Sequence, residues 1–299
     1  MIAKQAAIVA LCIVVTLIVI ARTCTFPLAA GSAQSGIVAS IAVRQQTEAR
    51  QPLAEYPLVA VIVEPRVDNL EKILRSFLVS MPKETHFQVY HGTKNKHVMD
   101  LFAEEIKEGR ISLWDLGVDN LTIEAYSALL TSEAFWRSMQ SERVLIFQTD
   151  TITCSQSPVS LEQFAQYDFI GAPTPAHIRG LLRFVFLARG HRLLHTQYYN
   201  GGLSYRSRSA MLAVLAAYPW DGITSEDVWF CAFLPKVGGR LPSVEEARKF
   251  SFEAERLSGI PWGLHKPRKH YAQLCQVCSE VSEIPFVPSN SDYRSLFLL

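Results

Sequence analysis

The stretch Arg143-Val-Leu-Ile-Phe-Gln-Thr-Asp150 decides how the chain is read. Val144 to Phe147 are consecutive apolar residues, rich in β-branched and aromatic side chains. Such a run predicts a strand buried on both faces, as in a parallel sheet covered by helices. It stops abruptly at the polar triplet Gln148-Thr149-Asp150. In open α/β sheets, ligands sit just beyond the carboxyl ends of such strands. A carboxylate at Asp150 suits a hard divalent cation with phosphate ligands, and it equally suits capping of the next turn.

Toward the N-terminus the chain alternates strand and helix signals. Leu58 to Val63 is an apolar strand run, broken by Glu64-Pro65-Arg66. Leu70, Ile73, Leu74, Phe77 and Leu78 recur at helical spacing. Phe87 to Tyr90 is a second strand. A helix follows through Val98, Leu101, Phe102 and Ile106 and closes near Gly109. Ile111 to Leu116 is a third strand, and helical text runs from Leu121 to Met139. This alternation predicts an α/β fold with a mainly parallel central sheet flanked by helices. No G-x-G-x-x-G follows the first strand and no G-x-x-x-x-G-K-[ST] occurs, so neither the dinucleotide fingerprint nor the common NTPase loop is present.

Composition sets the remaining bounds. Hydrophobic residues make up 49 % of the 299, enough for a sizeable core. The net charge of +1 leaves no excess of cations to neutralise phosphates in bulk, which argues against a nucleic-acid partner. Ala6 to Ala21 are apolar except for Thr16, with Lys4 before and Arg22 after. A helix over this run would be about 24 Å long, near the thickness of a thin internal membrane. We read residues 1–22 as a signal anchor, with a cleaved signal peptide as the alternative because small residues follow at Leu28-Ala-Ala30 and Ser32-Ala33. Residues 23–56 read as a stem and 57–299 as the folded domain. That organisation is single-pass type II, with the domain in the Golgi or ER lumen. Of six cysteines, Cys12 lies in the membrane run. Cys275 and Cys278 form a lone C-x-x-C without the second pair that zinc would need, so a local disulfide or buried thiols are expected. Asn120-Leu-Thr122 is a sequon if the domain is lumenal, or simply the start of a helix.

Downstream of Asp150 the pattern changes. Phe169, Ile170 and Gly171-Ala-Pro173 form a short strand and turn. His177 to His195 carries four arginines among apolar residues, as a basic segment near phosphates or a helix with a solvated face. Asn200-Gly201-Gly202 lets backbone approach a ligand closely, or makes an ordinary turn between strands. Glu226-Asp227 opens an apolar helix, Val228-Trp-Phe. Such acids suit a helix N-terminus, but Asp227 is carried into an apolar wall, where a carboxyl gains the raised pKa of a base. Ile260-Pro-Trp-Gly-Leu-His265 sets an imidazole after a tight segment, a candidate metal ligand when coupled with Asp150.

Residues 58 to 270 resemble uncharacterised glycosyltransferase-like domains of fungi and other microbes, of the GT-A (Rossmann-like) type. The stretches that carry the resemblance are Val61-Ile-Val-Glu-Pro-Arg66, Leu145-Ile-Phe-Gln-Thr-Asp150, Tyr167-Asp-Phe-Ile-Gly-Ala-Pro173, Asn200-Gly-Gly-Leu-Ser204, Glu226-Asp227-Val228 and Pro261-Trp-Gly-Leu-His265. Their order is also similar to that of β-1,3-galactosyltransferase-like enzymes. The resemblance implies transfer of a sugar from a nucleotide-sugar donor to a hydroxyl of a glycan, protein or lipid acceptor, assisted by Mn2+ or Mg2+. It implies Asp150 and His265 as metal ligands and Asp227 as the base of an inverting reaction, with Glu226 beside it. Asn200, Gly201, Gly202, Gln148, Thr149 and Glu64 would line the donor and acceptor pocket. The sequence departs from the D-x-D pattern at Gln148, which stands where the first acid is expected. That departure motivates an alternative, a membrane protein that binds glycan or nucleotide-sugar without turnover. A metal phosphoesterase is a further alternative, though the cluster of acids and histidines it needs is not visible.

Overall fold

A computed structural model describes residues 56–283 except 68, 177, 179–181, 183–185, 187–196, 254–256, 258 and 268–270. The expected membrane helix, nearly all of the stem, most of the basic segment and the C-terminal tail lie outside the described residues. Among the described residues no helix is long and apolar enough to cross a membrane.

The two strongest apolar runs form the middle of a six-stranded sheet. Strand β1 (Val59–Glu64) lies between β2 (His86–His91) and β4 (Arg143–Phe147), parallel to both. Strand β3 (Ile111–Asp115) adds in parallel outside β2. Beyond β4 the strand direction changes twice, so that only β7 (Tyr199–Ser207) runs against the rest. It is antiparallel to β4, and β6 (Phe169–Pro173) is antiparallel to β7, giving the order β3-β2-β1-β4-β7-β6. The fold is therefore α/β with a mostly parallel sheet flanked by helices.

Burial explains the sequence pattern. Val59 to Val63 and Val144 to Phe147 are all buried, as continuous apolar runs require. Helix α1 (Leu70–Ser80) buries Leu70, Ile73, Leu74, Phe77 and Leu78, the stripe read from the sequence. Phe77 stacks on Phe147 with ring centroids 4.1 Å apart, which locks this helix to the central strand.

Three readings are corrected. The helical text from Leu121 to Met139 is two helices, α3 (Ile123–Leu130) and α4 (Glu133–Arg137) after the short α2 (Ala103–Lys107). Thr131 Oγ1 donates back to Ser127 O at 2.6 Å, and Ser132 Oγ accepts from Phe135 N at 3.3 Å, so two hydroxyls end one helix and cap the next. The helix expected after β2 starts as a 3-10 segment, Lys96–Phe102. Cys278 does not bond its neighbour Cys275. It forms a disulfide with Cys154, 124 residues away, while Cys275 is a free thiol. Sequence spacing cannot reveal such a pairing, because only the fold brings the two Cα atoms within 5.1 Å.

A second, three-stranded sheet sits past the end of β4. Strand β5 (Thr151–Thr153) pairs antiparallel with β9 (Gly263–His265), and β9 pairs in parallel with β8 (Ser251–Phe252). Helices α5 (Arg208–Ala217), α6 (Glu226–Phe233) and α7 (Val244–Phe250) lie between β7 and β8 in the chain, and α8 (Tyr271–Val277) follows β9. Cys154 and Cys278 tie the end of β5 to the segment after α8.

Candidate active site

The small sheet makes the site. Its register sets Thr151 opposite His265, so the imidazole arrives beside Asp150 although the two are remote in sequence. The Lys266 N–H donates to Asp150 O at 2.9 Å and continues the pairing, with Lys266 in a left-handed conformation (φ 46°). His265 Nε2 then faces Asp150 Oδ1 at 3.4 Å. On the other side, His265 Nδ1 faces Glu253 Oε1 at 3.5 Å, Glu253 being the residue just after β8.

Neither approach is a formed hydrogen bond. Asp150 Oδ1 and both ring nitrogens of His265 are buried without a hydrogen-bond partner. His265 is 1 % exposed. Burial by itself would lower the imidazole pKa, but the carboxylates of Asp150 and Glu253 outweigh it and hold it at about 9. Burial likewise pushes the Asp150 carboxyl up, and the facing imidazole more than reverses this, bringing it to about 2. The same balance lowers Glu253. Among the described residues, no group of three or more His, Cys, Asp or Glu is arranged to hold a metal ion. Asp150 Oδ1 and His265 Nε2 form a buried ion pair at 3.4 Å, and once the imidazole gives up its proton they are a donor pair of the kind a divalent cation takes.

The double glycine is not a turn. It lies inside β7, and close packing explains it. A Cβ on Gly202 would come 2.3 Å from His265 Nε2 and 2.7 Å from Gln148 Oε1. One on Gly201 would come 2.3 Å from Glu226 Oε1 and 2.7 Å from Arg206 Nη2. Two adjacent glycines thus bring the metal-ligand candidates and the helix acids to one strand. Asn200 Oδ1 accepts from the Gly202 N–H at 2.7 Å, which orients the side chain within its own loop of backbone.

Asp227 is half-buried at the start of α6. Its Oδ2 accepts from the Gly201 N–H at 2.9 Å and its Oδ1 from the Val228 N–H at 2.7 Å. Burial, then the neighbouring Glu226 carboxylate, pushes its pKa up to about 6 against those hydrogen bonds and Arg206. Glu226 stands differently. Both its oxygens are taken by Arg206, at 2.6 Å from Nη1 and 3.0 Å from Nη2. A carboxylate held by such a fork is not free to take a proton from a substrate, which separates the two adjacent acids.

Glu64 ends β1 and is 4 % exposed. It is gripped by Arg66 through Nε at 2.8 Å and Nη2 at 2.7 Å, and Thr149 Oγ1 reaches it at 3.3 Å. Glu64 and Thr149 therefore join the carboxyl ends of β1 and β4. Gln148 stays half-buried with its carbonyl oxygen toward Gly202.

Arg206, Glu253 and Tyr126 were not anticipated from sequence. Tyr126, from α3, brings its buried hydroxyl toward Gln148. Burial raises its pKa, with Glu226 adding to the effect. For Arg206 a signal existed: an arginine inside the strand Leu203-Ser-Tyr-Arg-Ser demands a buried acid somewhere. Which acid, the sequence does not say.

The fold and site define a mixed α/β protein whose candidate site lies at the carboxyl edge of parallel strands, where the direction of chain connection changes. Residues 117–265 match a family described as a protein of unknown function, DUF5672. The matched segment holds Asp150, the double glycine, Arg206, Glu226, Asp227, Glu253 and His265, and begins after Glu64. No curated protein matches the chain.

Proposed function

We propose that the protein is a GT-A-type glycosyltransferase that moves a sugar from a nucleotide-sugar donor to a hydroxyl acceptor. The observation that carries this reading is the meeting of two unlike functions on one strand. Gly202 abuts a buried carboxylate–imidazole pair, and Gly201 holds a carboxylate with a raised pKa. Glycosyl transfer needs both a cation site for the diphosphate and a base for the acceptor hydroxyl.

In this reading Asp150 and His265 hold Mn2+ or Mg2+. Two protein ligands are enough where substrate phosphates complete the shell. The bound cation would offset the negative charge that builds on the departing diphosphate. Asp227 takes the acceptor proton, and attack from its side inverts the anomeric carbon. Its pKa of about 6 leaves it ionised at neutral pH while keeping it basic enough to accept a proton. Glu226 supports rather than reacts, because Arg206 occupies it. The Cys154–Cys278 disulfide suits an oxidising compartment, in keeping with a lumenal domain behind an N-terminal anchor.

A screen of nucleotide sugars for Mn2+-dependent donor hydrolysis and transfer tests the reading, repeated with Asp150→Ala and Asp227→Asn. Loss of turnover in both variants supports it, and turnover equal to the parent in both overturns it. Gln148 in the place of an acid favours one second reading, a protein that binds nucleotide-sugar without turnover. Calorimetric donor binding with neither hydrolysis nor transfer would support that instead.

A further inference from the structure

Arg206 is fully buried in the interior of β7. Aromatic rings surround its guanidinium, Phe169 at 4.3 Å, Trp136 at 5.8 Å and Phe230 at 5.9 Å. Glu226 matches its charge in a two-pronged pair that is itself shut off from water. A buried pair of this kind is costly to desolvate, and apolar residues of similar volume often serve stability as well or better. A pair of this kind is not needed for stability in general, and its surroundings offer it a second role.

Arg206 Nε donates to Ser204 Oγ at 2.8 Å, and Ser204 Oγ donates to Gly201 O at 2.9 Å. Arg206 Nη2 also reaches Gly201 O at 3.4 Å. The amide of the same glycine donates to Asp227 Oδ2. A Cβ on Gly201 would meet Glu226 Oε1, Arg206 Nη2 and, at 3.0 Å, Asp227 Cβ. One residue thus has its carbonyl held by the guanidinium network and its amide on the carboxylate of Asp227.

We propose that Arg206 and Glu226 are one positioning unit for Asp227, fixing its carboxylate through Gly201 and setting the charge that faces it. This rests on the reading of Asp227 as the base. The groups that face Asp227 are Glu226 and Cys231 from its own helix, Arg206 from β7 and Tyr126 from α3. Within this set the Glu226 carboxylate drives the Asp227 pKa up and the guanidinium draws it down, the carboxylate by more. Removing one leaves the other unbalanced beside Asp227, so the two removals act with opposite sign. The midpoint shifts report the charge facing Asp227, and exchange at the Gly201 amide reports its positioning.

The test is a pH titration of the Asp227 carboxyl carbon by NMR in the metal-free full chain, with Asp227→Asn to assign the signal. Glu226→Gln is expected to lower the midpoint by about one pH unit or more, and Arg206→Met to raise it by less. Arg206→Lys keeps the charge but loses the fork. It is expected to hold the midpoint near the parent value while hydrogen exchange at the Gly201 amide speeds up. Midpoints that stay in place in Glu226→Gln, or shift the same way in both removals, overturn the proposal. If Arg206→Met does not fold, Glu226→Gln and Arg206→Lys decide it alone. Neither readout needs a substrate. Shifts without any donor turnover would remove the proposed function and leave the positioning unit, and turnover without shifts would do the reverse.

Discussion

His265 Nε2 and Asp150 Oδ1 stand 3.4 Å apart, both buried, with no hydrogen bond between them. At neutral pH the pair is an imidazolium beside a carboxylate, and a divalent cation that displaces the imidazolium proton would take both as ligands. We expect Asp150→Ala and His265→Ala each to weaken Mn2+ binding by more than about tenfold, the loss typical even of outer-shell partners. Isothermal titration of the purified chain measures it. Parent-like Mn2+ affinity in Asp150→Ala would remove the pair from any metal role.

Gly202→Ala brings a methyl within 2.3 Å of His265 Nε2 and 2.7 Å of Gln148 Oε1. The imidazole has to move or the strand has to bend, at a cost of about 1–3 kcal/mol. The expected result is a lower melting temperature together with loss of Mn2+ binding. A variant that melts and binds metal like the parent contradicts the packing described for β7.

Asp227 is expected to set the pH dependence. Its folded-state pKa of about 6 exceeds the ordinary 3.8, so the folded chain holds this proton more tightly than the unfolded one. Its contribution to stability therefore declines as pH rises from 3.8 to about 6 and is flat above. Asp227→Asn should flatten that part of the curve in chemical denaturation. As the base, Asp227 must be ionised, so transfer should fall as pH drops below about 6. The Asn variant should lose about 10²–10⁴-fold in kcat/KM. A pH profile unchanged by Asp227→Asn would point to another base.

Cys154 and Cys278 close a loop across 124 residues. Opening it is expected to cost about 2–5 kcal/mol. Because β5 starts one residue after Asp150, the loss should also weaken Mn2+ binding. Peptide mapping without reductant should recover the Cys154–Cys278 link. Cys275→Ser should leave both stability and metal binding unchanged, and a Cys275–Cys278 peptide would refute the pairing.

Much of the fold was legible in local pattern. The apolar runs at Val59–Val63 and Val144–Phe147 read as covered strands, and the spacing of Leu70, Ile73, Leu74, Phe77 and Leu78 as one helix face. Asp150 was legible as the polar residue ending a buried strand, and Asp227 as an acid driven into apolar text. The break at Thr131-Ser132 was missed because helical periodicity spans it. Only the hydroxyl hydrogen bonds end the helix there.

Local pattern was enough for β1 to β4 and for the helix face of α1, and for acids standing near strand and helix ends, because burial and dihedral preference act over a few neighbouring residues. Tertiary structure alone decided the partners. The register of β5 on β9 brought His265 to Asp150, and the path of β7 set Arg206 under Glu226. The same fold closed Cys154 on Cys278. Charge, packing and disulfide bonding act through space, and residues far apart in the chain leave no local pattern from which their meeting can be read.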